Sequence, residues 1–263
     1  MSRTAPDLNA LFRDAHDEGD LSAASLHTLT LDGDYAAQIQ AGLGTLTPDD
    51  VPAAEVVLVT LLVDDSASIR GARNEAAIRA GHDTVLDALR GSKQGDGIVV
   101  HTTYLSGTVL YPYVRLADAS PMDTRSYQAT FPSTPLYDRA VAVLGSVIAQ
   151  ARTFRDAGTA VRSITLVLTD GGDNASRHTP QAVRTLVEDL VRQESHLVVG
   201  MGIDDGHTDF AGVFREMGIV EVLTPGNSAA EIRAACQAFS QSAVRVSQSA
   251  AAFAQAAGGG FFH

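Results

Sequence analysis

From residue 56 to residue 63 the chain reads Val-Val-Leu-Val-Thr-Leu-Leu-Val, apolar or β-branched almost throughout. A run with no polar face suits a strand covered on both sides, as in the middle of a parallel sheet. Residues 164–168 and 197–203 repeat the pattern. Residues 98–104 and 107–111 read as a hairpin, and residues 219–223 as an edge strand. Helical spacing fills the gaps. Residues 72–89 place Ile78, Val85, Leu86 and Leu89 on one face, and Gly91 closes them. Residues 136–154, 180–191, 210–217 and 228–239 also read as helices. Strands alternating with helices predict an α/β fold with a mostly parallel central sheet and helices on both faces.

The two ends differ from this core. In residues 1–52, Leu8, Leu11, Phe12 and Ala15 fall at i, i+3, i+4 and i+7, one face of a helix that Gly19 ends. Ser22 is placed to cap a second short helix carrying Leu26 and Leu29. Gly42, Gly44 and the stretch from Pro48 to Pro52 read as a linker. These features predict a helical extension clasped onto the main domain, residues 53–240; a partner-docking arm is the alternative. Residues 241–263 form a tail rich in Ala, Ser and Gln that extends the last helix. Three glycines, 258–260, break it before Phe261 and Phe262. Those aromatics are expected to fold back onto the chain's own surface, against the N-terminal helices, with docking to a partner as the alternative.

A chain of 263 residues can bury a large core, removing roughly 70–75% of its unfolded surface from water. Its net charge of −12 argues against sequence-independent nucleic-acid binding and against an anionic membrane surface. The single cysteine, Cys236, excludes an internal disulfide and reads as a small buried hydrophobe. The first residues lack the apolar core of a signal peptide, and the 56–63 run is too short to span a bilayer. A cytoplasmic location is the expectation.

Ligands of open α/β sheets bind beyond the carboxyl ends of the strands. Here those ends read Asp64-Asp65-Ser66-Ala67-Ser68, Asp170-Gly171-Gly172-Asp173-Asn174 and Asp204-Asp205-Gly206, with the loop from Phe131 to Asp138 before the middle helix. Hydroxyls of Ser66, Ser68 and Thr134, with Asp64 and Asp170 binding directly or through water, supply the oxygens a hard cation requires. Small Ala67 lets both serines turn toward one ion. Neutral hydroxyls would leave a cation electron-poor and a coordination position open, which an Asp or Glu carboxylate of another protein would fill.

Asp64-x-Ser66-x-Ser68 after a buried strand, Thr134 in Ser-Thr-Pro-Leu-Tyr-Asp, and Asp170 in Leu-Thr-Asp-Gly resemble the metal-ion-dependent adhesion site of von Willebrand factor A (VWA) domains. Met201-Gly202-Ile203-Asp204 resembles that family's penultimate core strand. The resemblance spans roughly residues 56–239. It implies a Rossmann-like fold, a Mg2+ ion (Ca2+ or Mn2+ as alternatives) at Asp64, Ser66, Ser68, Thr134 and Asp170, and a protein partner. The family often has glycines before the threonine; here Phe131-Pro132-Ser133 stand there. The acidic composition looks more like bacterial VWA proteins of stress or tellurite-resistance type than like animal adhesion proteins.

Around these residues, Asp65, Asp173, Asn174 and His178 form a candidate partner-binding rim. Their plainer readings are a solvated neighbour for Asp65, turn formers for Asp173 and Asn174, and a solvent-exposed ring for His178. Asp204 and Asp205 read equally as turn formers or as groups behind the ligands, and His82 as a satisfied buried histidine. A metal-dependent hydrolase or phosphatase is the competing function. There is no nucleophile elbow and no Ser-His-Asp order, Ser66 occupies the second position of an Asp-x-Asp phosphatase motif, and Gly91-Ser92-Lys93 lacks the preceding glycine and strand of a phosphate loop. The expectation is a binding module and not an enzyme.

Overall fold

The computed structural model describes residues 7–30, 33–93 and 95–262. Residues 1–6, which carry most of the stretch weighed as a signal peptide, and His263 lie outside the described residues. The elements, in chain order, are α1 (Leu8–Asp17), α2 (Ala23–Thr30), α3 (Gly33–Leu43), β1 (Glu55–Val63), α4 (Ala67–Gly71), α5 (Glu75–Arg90), β2 (Ile98–Tyr104) and β3 (Val109–Arg115). They continue with α6 (Leu136–Asp156), β4 (Ala160–Thr169), α7 (Pro180–Arg192), β5 (His196–Gly202), α8 (Phe210–Glu216), β6 (Glu221–Leu223), α9 (Ala229–Ser247) and α10 (Ala250–Gln255). The sheet has the order β3-β2-β1-β4-β5-β6. All pairs are parallel except β2 with β3.

The apolar run of β1 feeds two cores. Val57, Val59, Leu61 and Val63 face α5, α9 and the C-terminal tail. Val56, Leu58 and Leu62 face the N-terminal helices, α6, α7 and α8. A strand covered on both faces has no need of alternation, which is why its sequence shows none. On the first face, Gly81 of α5 lies against Cys236 of α9, and any side chain there would collide with its sulfur. Cys236 is buried, and burial pushes its thiol up to about 12. It fills space between two helices. His82, on the same helix, bonds Thr102, Tyr111 and Asp83, a satisfied buried histidine as read.

Three expectations need correction. The helix read over residues 72–89 is present but starts later: α4 ends at Gly71, Arg73 adopts φ +62° and α5 runs unbroken from Glu75 to Arg90. Buried Asn74 at the break bonds Asn227, a partner that helical periodicity cannot reveal. Next, Gly42 is no linker residue. It lies inside α3, whose Tyr35, Ile39 and Leu43 form a buried i, i+4, i+8 stripe. A Cβ on Gly42 would stand 2.9 Å from the Ser146 hydroxyl and 3.0 Å from His101 Nε2, so glycine lets α3 approach the sheet closely. Lastly, Phe261 does not reach the N-terminal helices. It is fully buried on the opposite face, 5.8 Å from the ring of Phe239 in α9. Arg245 donates to the carbonyls of Gly260 and Phe261, and the Phe261 N–H donates to Glu221 of β6.

The N-terminal helices pack as a clasp in this structure. Asp7 caps α1 and the Ser22 hydroxyl accepts from Ser25 N–H at the start of α2. Ser22 N–H donates to Asp189 of α7 at 2.7 Å, and Arg152 of α6 pairs with Glu18.

Phe261→Ala should cost about 3 kcal/mol of stability, the usual range for emptying a buried aromatic site. Urea unfolding measures it, and a loss below about 1 kcal/mol would mean that the tail is undocked in solution.

Candidate metal centre at the carboxyl edge of the sheet

Parallel pairing of β1 with β4 sets Val63 level with Leu168. The residues that follow, Asp64 on one strand and Thr169-Asp170 on the other, therefore leave the sheet side by side. Asp64 N–H donates to the Leu168 carbonyl at 3.0 Å. The Asp64 side chain is fully buried. One carboxylate oxygen accepts from Ser66 N–H at 2.8 Å. The other accepts from the Thr169 hydroxyl at 2.6 Å and, more loosely, from Asp170 N–H at 3.4 Å. Asp64 thus organises both loops from beneath.

In front of it lies a continuous row of oxygens. The Ser66 and Ser68 hydroxyls are 2.8 Å apart, and Ser68 donates to Asp170 at 2.6 Å. Ser66 and Asp170 are buried while Ser68 between them is exposed, so the row opens to solvent at its middle. Burial raises the Asp170 carboxyl to about 6, and the negative charges of Asp64 and Asp205 add to the shift against the Ser68 hydrogen bond. Two carboxylates close together in a dry site repel each other, a condition that a cation relieves.

Thr134 reaches this edge through its backbone. Phe131 pairs with Ser66 as an isolated parallel bridge: its N–H donates to Asp65 C=O at 3.0 Å and its C=O accepts from Ala67 N–H at 2.8 Å. The residues standing where the family often has glycines thus tie the threonine loop to the serine loop. On the other side, Thr134 N–H donates to the Asn174 side chain at 2.7 Å, and Thr134 C=O accepts from Asn174 N–H at 3.1 Å. Asp64, Ser66, Ser68 and Asp170 are in direct contact; Thr134 is buried on the adjoining loop between them.

Of the rim residues, Asp65 and His178 differ from their reading. Asp65 is buried and accepts from Ser106 N–H at 2.9 Å, so it is neither solvated nor presented to a partner. Burial raises its carboxyl above the ordinary range. His178 is not free in solvent: its ring meets Asp138 at 2.9 Å and stacks edge-on against Tyr35 at 4.7 Å. Asp173 shapes the loop, accepting from Ser176 N–H at 3.2 Å and from Tyr137 N–H at 3.2 Å. Asn174 is exposed but its side chain serves Thr134. Asp204 and Asp205 accept from backbone N–H groups of their own turn, at 2.8 Å for both Gly206 and His207.

Sequence reading missed three contributors. Thr169 holds Asp64; a hydroxyl ending a buried strand beside an acid was the available signal. Tyr127 donates its hydroxyl to Asp64 C=O, with no local signal in the sequence. Asp138, in the first turn of α6, accepts from the N–H groups of Arg177 at 3.1 Å and His178 at 2.8 Å.

The side chains brought together are chemically uniform: the carboxylates of Asp64 and Asp170 and the hydroxyls of Ser66 and Ser68, all oxygen, with Thr134 on the adjoining loop. That suits a hard divalent cation and fits the adhesion-site residues. Among the described residues no group of three or more His, Cys, Asp and Glu forms a separate metal cage.

No protein-family model matches the sequence, and no curated protein matches it. Solved structures do. A von Willebrand factor type A protein from Catenulispora acidiphila aligns with TM-score 0.50 and 17% identity over 73% of this chain and 43% of that one. The pilus adhesin SpaC from Lactobacillus rhamnosus GG aligns with TM-score 0.54 and 12% identity over 78% of this chain and 32% of that one. The chain has the Rossmann-like VWA fold, and it spans less than half the length of either of these solved chains. Among the described residues no helix is long and apolar enough to cross a membrane.

The raised Asp170 carboxyl fixes a pH dependence in the metal-free protein. Its folded value of about 6 lies above the ordinary 3.8, so the native state holds this proton more tightly than the unfolded chain. The favourable contribution is full below the unfolded value and is lost as pH rises through the folded one. In chelator, Asp170→Asn should therefore melt above wild type near neutral pH, with the gap closing toward about pH 4. A gap that stays constant across that range would show that Asp170 ionises normally.

Proposed function

We propose that the chain is a divalent-cation-dependent protein-binding module and not an enzyme. The observation that carries this reading is the contiguous Ser66, Ser68 and Asp170 oxygen row, backed by buried Asp64. Ser66, Ser68 and Thr134 would hold one cation, Mg2+ before Ca2+ or Mn2+, with Asp64 and Asp170 supplying negative charge directly or through water. A bound cation would offer an open position to an Asp or Glu carboxylate on a partner protein. Asp64 keeps the serine turn and the Asp170 loop at fixed separation, and Asp170 and Ser68 orient one another. The exposure of Ser68, at the middle of the row, supports access for a carboxylate carried on another surface. The two serine hydroxyls bond each other and a carboxylate, and His178 is engaged by Asp138, an arrangement better suited to ligation than to a nucleophile with its base. The acidity of the chain supports extending the reading to a cytoplasmic stress or tellurite-resistance role of the bacterial type.

Calorimetric titration with Mg2+ and Mn2+ tests the site. Wild type should bind one ion, and Ser68→Ala should bind it more weakly while folding normally. At a metal concentration about 100 times Kd, the wild-type protein should gain about 2.7 kcal/mol of stability, and chelator should abolish the gain. Equal melts of wild type with Mg2+ and with chelator, together with no heat of binding, would overturn the metal reading. Asp64→Ala should lower stability even without metal, because it strands Ser66 N–H and leaves the Thr169 hydroxyl only its local bonds to Gly171. Capture of a protein from the native lysate in Mg2+, released by chelator and absent with Asp170→Asn, would support the partner reading.

A further inference from the structure

The N-terminal helices are stitched to the metal edge through one cluster. Asp138 lies in the first turn of α6, four residues beyond Thr134. Its carboxylate gathers the loop that follows Asp170: Arg177 N–H donates at 3.1 Å to both oxygens, and His178 donates its N–H at 2.8 Å. The His178 ring adds a contact at 2.9 Å. The stitching is reciprocal, because Asp138 N–H donates back to Ser176 at 3.0 Å and Tyr137 N–H to Asp173 at 3.2 Å. Together with the Thr134–Asn174 pair, these bonds lock the Thr134 and Asp170 loops into one unit.

Tyr35 of α3 closes this unit from outside. It is buried, its ring stands edge-on to His178 at 4.7 Å, and its hydroxyl bonds the Asp138 carboxylate. Through this side chain the N-terminal extension touches both the α6 start and the loop after β4. Groups that hold ligand loops in place govern metal affinity although they never touch the ion.

We propose that Tyr35 is a positioning residue of the metal site, so that the N-terminal extension is a working part of the binding edge. It acts by holding Asp138 and His178 together, which sets the separation of Thr134 from Asp170. The effect on metal rests on the adhesion-site reading above; the effect on the loop does not.

The test uses the full chain with two readouts. Amide hydrogen exchange in chelator follows Arg177 and His178, and calorimetry follows Mn2+ affinity. Tyr35→Ala should speed exchange at both amides and weaken Mn2+ binding by about tenfold, the scale seen for supporting residues of metal sites. Tyr35→Phe keeps the ring against His178 and loses the bond to Asp138, so it should fall between. Ile39→Val is the control: it loosens α3 where it packs on Gly145 of α6, away from the loop. It should lower the melting temperature and leave Mn2+ affinity and the two amides unchanged. If Ile39→Val weakens Mn2+ as much as Tyr35→Ala does, general destabilisation explains the effect and the proposal falls. If Tyr35→Ala leaves the two amides unchanged, the coupling itself is absent and the proposal falls again. Wild-type protein that binds neither Mn2+ nor Mg2+ while Tyr35→Ala still loosens the amides would overturn the metal reading and confine Tyr35 to the loop.

Discussion

Two acids follow the carboxyl ends of adjacent parallel strands, Asp170 one residue beyond the level of Asp64, and both are buried. The register of β1 against β4 makes this unavoidable, since Val63 level with Leu168 brings Asp64 beside Thr169 and Asp170. Burial and mutual repulsion make such a pair costly. The chain offsets part of the cost with hydrogen bonds: Asp64 is surrounded by Ser66 N–H, the Thr169 hydroxyl and, behind its carbonyl, Tyr127. Asp170 has the Ser68 hydroxyl and a carboxyl raised to about 6. What remains uncompensated is a local demand for positive charge where the Ser66–Ser68 row opens to solvent.

The other acids of this edge have a different task. Asp65 accepts from Ser106, Asp138 from Arg177 and His178, Asp173 from Ser176 and Tyr137, and Asp205 from His207 and Thr208. Each ties down backbone N–H groups that a loop leaves without ladder partners. The edge therefore looks densely acidic in the sequence, while its carboxylates divide between those that face the serine row and those that fasten loops.

The two faces of the sheet are sealed by the two ends of the chain. The N-terminal helices complete the core on the α6 and α7 side, and the tail completes it on the α5 and α9 side through Phe253 and Phe261. Arg162 joins the tail to the strands: it pairs with Glu55 at 2.6 Å, donates to the Val246 carbonyl at 2.8 Å and lies over the Phe253 ring. The extension and the tail are thus bonded to the same sheet whose carboxyl edge carries the site.

The sequence by itself determined the buried parallel strands β1, β4 and β5, their two-sided burial and the placement of Asp64, Ser66, Ser68 and Asp170 after strand ends. Those features follow from local periodicity and from the rule that open α/β sheets present their loops beyond the carboxyl ends. Only the tertiary structure decided the rest. Gly42 reads as a loop marker until α3 is seen against Ser146 and His101. Asp65 and His178 look like surface residues until Ser106, Asp138 and Tyr35, distant in the chain, are brought onto them. Phe261 follows three glycines that suggest a loose end, yet it is buried against Phe239. The physical reason is common to all of them. Periodicity reports which face of an element is covered, whereas a hydrogen-bond or packing partner from another segment is fixed only when the whole chain has closed around it.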